Sequence, residues 1–207
     1  MDIPAFYSAF RGGEVMTAPV RIQGSEISFA SEPARLAYSA DGSEDRMPIA
    51  VIDVKGLDKR KLDDRLLTGM KFPGSDVWFM TCIEDIEDVF DCFMGDIVKV
   101  LVPYHMTRND LVMKEVYDMS DNCIPVVFVS GGMAVCRGAA TKDLKDALCG
   151  LTETGFTEIA VFDTDNTLRP EDWSSLSGRS GGIIPCVRDR NRIPEDAGFY
   201  NVIYGFS

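Results

Sequence analysis

The second half of this chain repeats the strand pattern of its first half. The run Ile3 to Ser8 reappears as Ile124 to Ser130, and a glycine pair follows each run. Ile49 to Asp53 likewise reappears as Ile159 to Asp163. The order of the runs is kept while the connections of the second half are shorter. Internal repetition on this scale indicates that one supersecondary unit is used twice.

Two four-strand units make an eight-stranded barrel, so the repeat predicts an α/β fold of the (β/α)8 TIM-barrel class. Short apolar runs alternate with amphipathic segments, which is the pattern of parallel strands joined by helices. We expect one domain over residues 1–207, with half-barrels at about 1–122 and 123–207. The connections after the last two strands are too short for full helices, so reduced helices are expected at the C-terminal end.

The positions of the elements follow from apolar periodicity and turn residues. The predicted strands cover residues 3–8, 49–54, 77–82, 97–102, 125–130, 158–162, 183–187 and 201–204. A small hairpin is predicted over 20–22 and 26–29. The predicted helices cover residues 32–40, 59–70, 83–93, 109–119, 142–154 and 170–176. Gly155 is expected to end the fifth helix.

Composition limits the function classes. The net charge of −12 argues against nucleic acid and anionic membranes as partners, since both need clustered lysine and arginine. No apolar run is long enough to cross a membrane, and the acidic Met1-Asp2 start argues against a signal peptide. Six cysteines without a C-x-x-C pair are typical of reduced core residues. We therefore expect a cytoplasmic protein that binds a small-molecule substrate.

The chain offers little for a metal or cofactor site. His105 is its single histidine, and zinc sites usually draw on several histidine or cysteine ligands. We therefore expect no metal and no cofactor.

In barrels of this class the active site is built by the loops that follow the strands. Reading those strand ends yields two sets of candidates. The catalytic candidates are Asp53, Asp163, Asp165 and His105, and the substrate-binding candidates are Ser8, Ser130, Gly131, Gly132, Thr167 and Arg188.

Each candidate also has a structural interpretation. Asp53 and Asp163 end equivalent strands, either as an acid–base pair across the barrel mouth or as caps of the next helix. His105 is either a general base or a hydrogen-bond partner of the backbone. The Ser130–Gly132 turn either holds one anion or simply ends its strand. The basic run Arg188–Arg192 is either a clamp for a carboxylate or phosphate or a solvated loop.

Several short motifs together resemble one known family. Ile3-Pro4-Ala5 with Phe10-Arg11-Gly12 is similar to the opening of the HisA/HisF barrels of histidine biosynthesis. Val51 to Gly56 is similar to their second strand, Glu84 to Val89 to the start of their third helix, and Asp165 to Leu168 to their D-G-T-L run after strand six. The resemblance covers nearly the whole chain in order, and it implies a half-barrel duplication.

The departures from that family bear on activity. The family isomerase uses paired aspartates at the ends of strands one and five, where this chain has Tyr7 or Ser8 and Ser130. Neither position supplies a carboxylate for acid–base catalysis. The family's glycine-rich phosphate turns are also mostly replaced here by bulkier residues and by Pro103.

Three functions remain open at this point. The first is an isomerase- or lyase-type enzyme that has diverged from the phosphoribosylformimino-aminoimidazole carboxamide ribotide isomerase. The second is a non-catalytic binding or assembly barrel. The third is a protein that still performs the histidine-pathway reaction. We also expect a homodimer through the thinned side of the barrel, where Ile184, Val202 and Ile203 lack the usual outer helices.

Overall fold

The structure is a computed structural model that describes most of the chain from residue 47 onward. It describes residues 2–7, 10–11, 14–15, 20–23, 26–29, 47–62, 66–67, 75–95, 97–178 and 182–205. For the segments before residue 47, and for Met47 and Ser75, it gives the strand assignment and pairing only.

Fourteen strands and five helices are assigned within these described ranges. The strands are β1 (Asp2–Tyr7), β2 (Phe10–Arg11), β3 (Glu14–Val15), β4 (Val20–Gln23), β5 (Glu26–Phe29), β6 (Met47–Ile52), β7 (Ser75–Met80), β8 (Ile97–Pro103), β9 (Cys123–Ser130), β10 (Met133–Val135), β11 (Thr141–Lys142), β12 (Glu158–Asp163), β13 (Gly182–Val187) and β14 (Val202–Tyr204). The helices are α1 (Val54–Lys59), α2 (Ile86–Phe93), α3 (Asp110–Met119), α4 (Leu144–Thr154) and α5 (Pro170–Ser177). Short 3-10 turns cover Arg137–Ala139, Arg190–Arg192 and Glu195–Ala197.

Parallel pairing joins the long strands into a barrel. In the order β1, β6, β7, β8, β9, β12, β13, β14, each strand pairs in parallel with the next, and β14 pairs in parallel with β1. With helices between the strands, this is a nearly closed, TIM-like α/β barrel. The prediction of a parallel-strand barrel is confirmed. The carboxyl ends of its strands meet at one face, where such barrels place their active sites.

Alternation along each strand divides the core into two layers. Side chains at every second position fill the barrel interior, because successive strand residues point to opposite faces. The interior residues are Ala50, Ile52, Trp78, Met80, Leu101, Ile124, Val126, Ala160, Phe162, Ile184, Cys186 and Ile203. The intervening positions, such as Val51, Phe79 and Val161, pack outward in the cluster that includes the helices. Both faces of the strands are therefore covered.

An ion pair lies at the end of the barrel where the strands begin. Lys99 of β8 donates to Glu158 of β12 at 2.5 Å, across the intervening strand β9. The Lys99 ammonium also lies 4.6 Å from the ring centroid of Trp78, an interior residue. The ammonium and the carboxylate therefore neutralise each other at the end of the barrel where the strands begin.

Most strand predictions match the structure to within two residues. The 20–29 hairpin is confirmed as β4–β5, with Gln23 opposite Glu26. The hairpin formed by β10 and β11, which pairs antiparallel to β9, was not predicted. Sequence periodicity did not reveal it, because both strands are very short.

The second predicted helix starts in the wrong place. The structure has α1 directly after β6, where Asp53 caps it, and Arg60 ends it in a left-handed conformation with φ 52°. Leu66 and Leu67 are helical as predicted. The predicted helix at 32–40 lies outside the described residues.

The dimer is predicted from an uncovered apolar patch at Ile184, Val202 and Ile203, and that prediction of a patch is wrong. Ile184, Val202 and Ile203 are buried within the single chain. Ile184 and Ile203 belong to the barrel interior, and Val202 packs in the outer cluster, against which Phe199 also packs. The dimer stays a prediction without the exposed apolar patch that motivated it. In the described part of the chain, no helix is long and apolar enough to span a membrane.

Gly150 within helix α4 and Gly155 at its C-terminal end differ in whether a side chain would fit. Gly155 ends the helix with φ 118°, and a Cβ there would lie 2.5 Å from the Tyr117 ring. Gly150 lies within the helix, and a Cβ there would meet nothing within 4 Å.

We expect Gly155→Ala to lower the free energy of unfolding by about 2 kcal/mol, because alanine is strained at positive φ and would displace Tyr117. Gly150→Ala is the matched control and should raise it by up to about 1 kcal/mol through helix propensity. Urea denaturation of the two variants checks both signs. Equal effects would contradict the assigned end of the helix.

Candidate functional site

Asp53 and Asp163 are buried supports of the loops that follow their strands. Asp53 Oδ1 accepts from the Gly56 N–H at 2.8 Å, and Oδ2 accepts from the Thr81 hydroxyl at 2.9 Å. A Cβ on Gly56 would lie 2.1 Å from Asp53 Oδ2, so this close approach requires glycine. Asp53 follows Val51 on the outward-packing face of β6, not on the face that lines the barrel interior.

Asp163 has the equivalent role after β12. Its Oδ1 accepts from the Thr167 N–H at 2.9 Å, and its Oδ2 accepts from the Leu168 N–H at 3.0 Å. The side chain is fully buried and follows Val161 on the outward face. The hydrogen bonds therefore favour the structural interpretation of both aspartates. An acid–base pair across the mouth stays a prediction that this geometry does not support.

We expect Asp163→Asn to destabilise the fold by about 1–3 kcal/mol, because the amide NH₂ would face backbone donors in a buried site. Asp165→Asn on the same loop is the control, since Asp165 is exposed and its change should cost less than about 0.5 kcal/mol. Chemical denaturation measures both. A fully stable Asp163→Asn variant would show that these hydrogen bonds do not hold the loop.

The turns after β9 and β12 are bonded to each other. The Ser130 hydroxyl donates to Asp165 Oδ2, and the Gly132 N–H donates to the Thr167 hydroxyl oxygen at 3.0 Å. Thr167 in turn donates to Asp163 Oδ1 at 3.2 Å. Five of the predicted site residues thus form one cluster. The Gly132 N–H serves Thr167, which leaves the predicted anion turn fewer donors for a ligand.

Asp165 brings a carboxylate to a place where the sequence appeared to have none. Ser130 ends β9, and the sequence places no carboxylate at that strand end. The hydrogen bond from Ser130 holds the exposed Asp165 carboxylate beside it. An acidic group is therefore available at the end of the fifth barrel strand, supplied by the neighbouring loop.

His105 lies two residues after β8, beside an open cavity at the face formed by the carboxyl ends of the strands. The cavity has a volume of about 330 Å³. It is lined by Arg60, Glu84, His105, Met106, Thr107, Arg108, Arg137 and Gly138. These residues follow four consecutive barrel strands, β6 to β9.

The His105 imidazole is held in an apolar setting. Its ring packs edge-on against Phe128 at 4.6 Å, and Phe128 packs against Phe162. Burial, and secondarily the Arg60 guanidinium, lowers the pKa of His105 from 6.5 to about 4. Its buried Nδ1 has no hydrogen-bond partner among the residues described by the structure. At neutral pH the ring is therefore uncharged, and one nitrogen has its hydrogen-bonding capacity unused.

Three arginines on the cavity wall were missed by the sequence analysis. Arg137 donates through Nε to the Thr107 carbonyl at 2.7 Å and through Nη1 to Asp110 at 2.7 Å. Arg60 donates to the Met106 carbonyl at 3.3 Å. Their positions in loops after strands were the available signal, but no motif distinguished them from surface arginines.

Each of the three cavity arginines has a carboxylate within 4 Å. Arg137 pairs with Asp110, whose side chain is 81% exposed, and Arg108 pairs with Asp85 at 2.7 Å. Arg60 lies 3.8 Å from Glu84. Such exposed ion pairs are worth little, so an incoming anion competes readily for the same cations.

The arginines of the basic run after β13 donate mainly to backbone carbonyls. Arg192 donates to the carbonyls of Asn166 and Leu168 at 2.9 and 3.0 Å, which fixes the loop after β12. Arg190 donates to the Ile193 carbonyl at 3.2 Å. Arg188 directly follows β13 and has an exposed side chain. Of this run, Arg188 therefore stays the candidate for binding a carboxylate or phosphate. Ser8, another predicted binding residue, lies outside the described residues.

The cysteines and the acidic groups define no redox or metal site in the described part of the chain. Cys82, Cys92, Cys123 and Cys186 are buried, whereas Cys149 is exposed. Burial raises the pKa of Cys82 to about 11 and that of Cys123 to about 12, so these thiols are poor nucleophiles. Among the described residues no group of three or more potential ligands is placed to hold a metal ion.

No protein-family model matches the chain, and no curated protein matches it. The function is therefore inferred from the geometry of the site.

The pKa of His105 predicts how stability changes with pH. The unfolded chain binds a proton near pH 6.5 and the folded chain only near pH 4, so protonation favours unfolding as the pH falls between these values. Comparing pH 7 with pH 5, we expect the wild type to lose about 1 kcal/mol more than His105→Gln, after discounting for partial exposure. Urea denaturation at both pH values checks this. Identical losses would contradict a neutral His105.

Proposed function

We propose that this protein is a HisA-like (β/α)8 barrel that binds a small anionic metabolite at the carboxyl ends of its strands. The observation that carries the proposal is the cavity that three arginines line together with the uncharged imidazole of His105. The lining carries three guanidiniums and one carboxylate, that of Glu84, so in a chain with a net charge of −12 this cavity has a net positive lining that favours an anion. The substrate class is therefore a small carboxylate or phosphate compound.

Two features support the half-barrel duplication, with halves at about 1–122 and 123–207. Asp53 directly follows β6 and Asp163 ends β12, the second barrel strand of each half, and each accepts a backbone N–H from the residues that follow it. The halves also occupy consecutive positions in the strand order, β1 to β8 followed by β9 to β14. Equivalent residues thus perform equivalent structural work.

The reaction class that suits these groups is proton transfer, as in an isomerase or lyase. General acid–base catalysis contributes about 10²–10⁴-fold to rate. At pH 7 the His105 imidazole is in its basic form but is a weak base, since its pKa is about 4, and an anion bound beside it would raise that pKa toward neutrality. His105 lies on the cavity wall, and Asp165 presents an exposed carboxylate held by Ser130. We assign His105 the role of base and Asp165 that of its acid–base counterpart.

The second function, a non-catalytic binding barrel, would use the same cavity without proton transfer. The third, the histidine-pathway isomerase, is disfavoured because the strand-one position carries Tyr7 or Ser8 in place of aspartate. We expect no rescue of a strain that lacks that isomerase. Growth of such a strain when it expresses this protein would show that the third function is correct.

Binding of anions tests the site directly. A thermal-shift screen of small carboxylates and phosphate esters, with inorganic phosphate as the first probe, should raise the melting temperature of the wild type. Arg137→Met should weaken any hit about tenfold or more, because a charge-assisted hydrogen bond is lost. Lys114→Met on the exposed side of α3 removes the same charge elsewhere and should leave binding unchanged.

The outcomes separate the candidates. Binding that responds to Arg137→Met but never leads to proton exchange on the ligand, followed by NMR in D₂O, would favour the binding barrel. Exchange that is lost in His105→Gln with binding retained would support the enzyme. Equal binding in Arg137→Met and Lys114→Met would refute the proposed site.

A further inference from the structure

Arg137 reaches the cavity beside His105 on a hairpin that follows β9. It lies in the turn at 136–140, between β10 and β11. Gly138 and Ala139 of that turn have φ values of 67° and 61°, in the left-handed region. For alanine this conformation is strained and persists only where surrounding contacts hold it. The contacts between this turn and the loop after β8 therefore decide where Arg137 is placed.

One threonine of the loop after β8 holds the Arg137 guanidinium from the side. Thr107 is buried, its carbonyl accepts from Arg137 Nε at 2.7 Å, and its hydroxyl oxygen accepts from Nη2 at 2.9 Å. The same hydroxyl donates to the Tyr104 carbonyl at 2.9 Å, so its lone pairs are left for the arginine. Arg137 Cζ also lies over the Tyr104 ring, 4.9 Å from the centroid. The guanidinium is thus restrained both in position and in plane.

Two of the five N–H groups of Arg137 have no hydrogen-bond partner among the residues that the structure describes. Thr107 engages one on Nε and one on Nη2, and Asp110 accepts one from Nη1 at 2.7 Å. One N–H on Nη1 and one on Nη2 remain. An arginine with two such donors binds two oxygens of one carboxylate or phosphate in parallel. Since Arg137 lines the cavity, an anion bound there has these two N–H groups as donors.

The other two arginines of the cavity are less restrained. The side chains of Arg60 and Arg108 are 52% and 66% exposed, against 24% for Arg137. Arg60 donates to the Met106 carbonyl at 3.3 Å, and Arg108 is paired with Asp85. A side chain that is already held loses less rotamer freedom when a ligand binds. Arg137 is therefore the cavity arginine best suited to fix the orientation of an anion, while the other two mainly add positive charge.

We propose that Thr107 is a positioning residue that fixes the plane of the Arg137 guanidinium, and that Arg137 binds two oxygens of one carboxylate or phosphate group of the ligand. Thr107 acts through Arg137 and does not itself contact the ligand. Because this role presumes the proposed anion-binding function, it stands only if the cavity binds an anion.

Isothermal titration calorimetry with inorganic phosphate and with acetate tests this role, and the tighter probe identifies the ligand group. Thr107→Val removes the hydroxyl and should weaken the tighter probe about fivefold or more, whereas Thr107→Ser keeps the hydroxyl and should stay within about twofold of the wild type. Thr152→Val is the matched control and should bind as the wild type does, because the Thr152 hydroxyl donates to a carbonyl within α4. In an Arg137→Met background, Thr107→Val should cause no further loss.

Arg137→Lys keeps the charge but loses the planar fork, so it should weaken binding about as much as Arg137→Met does. This comparison decides the question even where Thr107→Val fails to fold. Wild-type affinity in Arg137→Lys or in Thr107→Val would overturn the proposed role and leave the anion site in place, as would a further loss in the double variant. Failure of the wild type to bind either anion at millimolar concentration would refute the anion site itself, and the role of Thr107 with it.

Discussion

Parallel backbone pairing around the barrel is the constraint on which the other features depend. β14 pairs with β1, and β8 with β9, so the strands of both halves share one ring of hydrogen bonds. Parallel strands direct their carboxyl ends to one face. Loops that are far apart in sequence therefore meet there, which brings Arg60 and Arg137 to the wall of one cavity.

The strand-end loops at that face are held from several directions. Asp163 bonds the loop after β12 from below, while Arg192 holds the carbonyls of Asn166 and Leu168 from the side. Such loops lose little freedom when a ligand binds, and preorganisation of this kind favours both affinity and catalysis. The position of Asp165 beside Ser130 follows from this fixed loop.

The two ends of the barrel differ in physical chemistry. The cavity at the carboxyl ends of the strands combines guanidiniums with a neutral His105 and suits an anion. At the end where the strands begin, Lys99 neutralises Glu158.

The sequence by itself determined the barrel class, because apolar strand runs that alternate with amphipathic segments, and the repetition of those runs, can be recognised from residue order alone. It also placed His105 and Asp165 at strand ends correctly. Tertiary structure alone decided the rest. Whether Asp53 faces the mouth or caps a turn depends on which side of the pleat it occupies, and Asp165 reaches Ser130 only because two distant strands pair. Contacts between separate loops leave no trace in local periodicity, so the arginine wall appeared only in the folded chain.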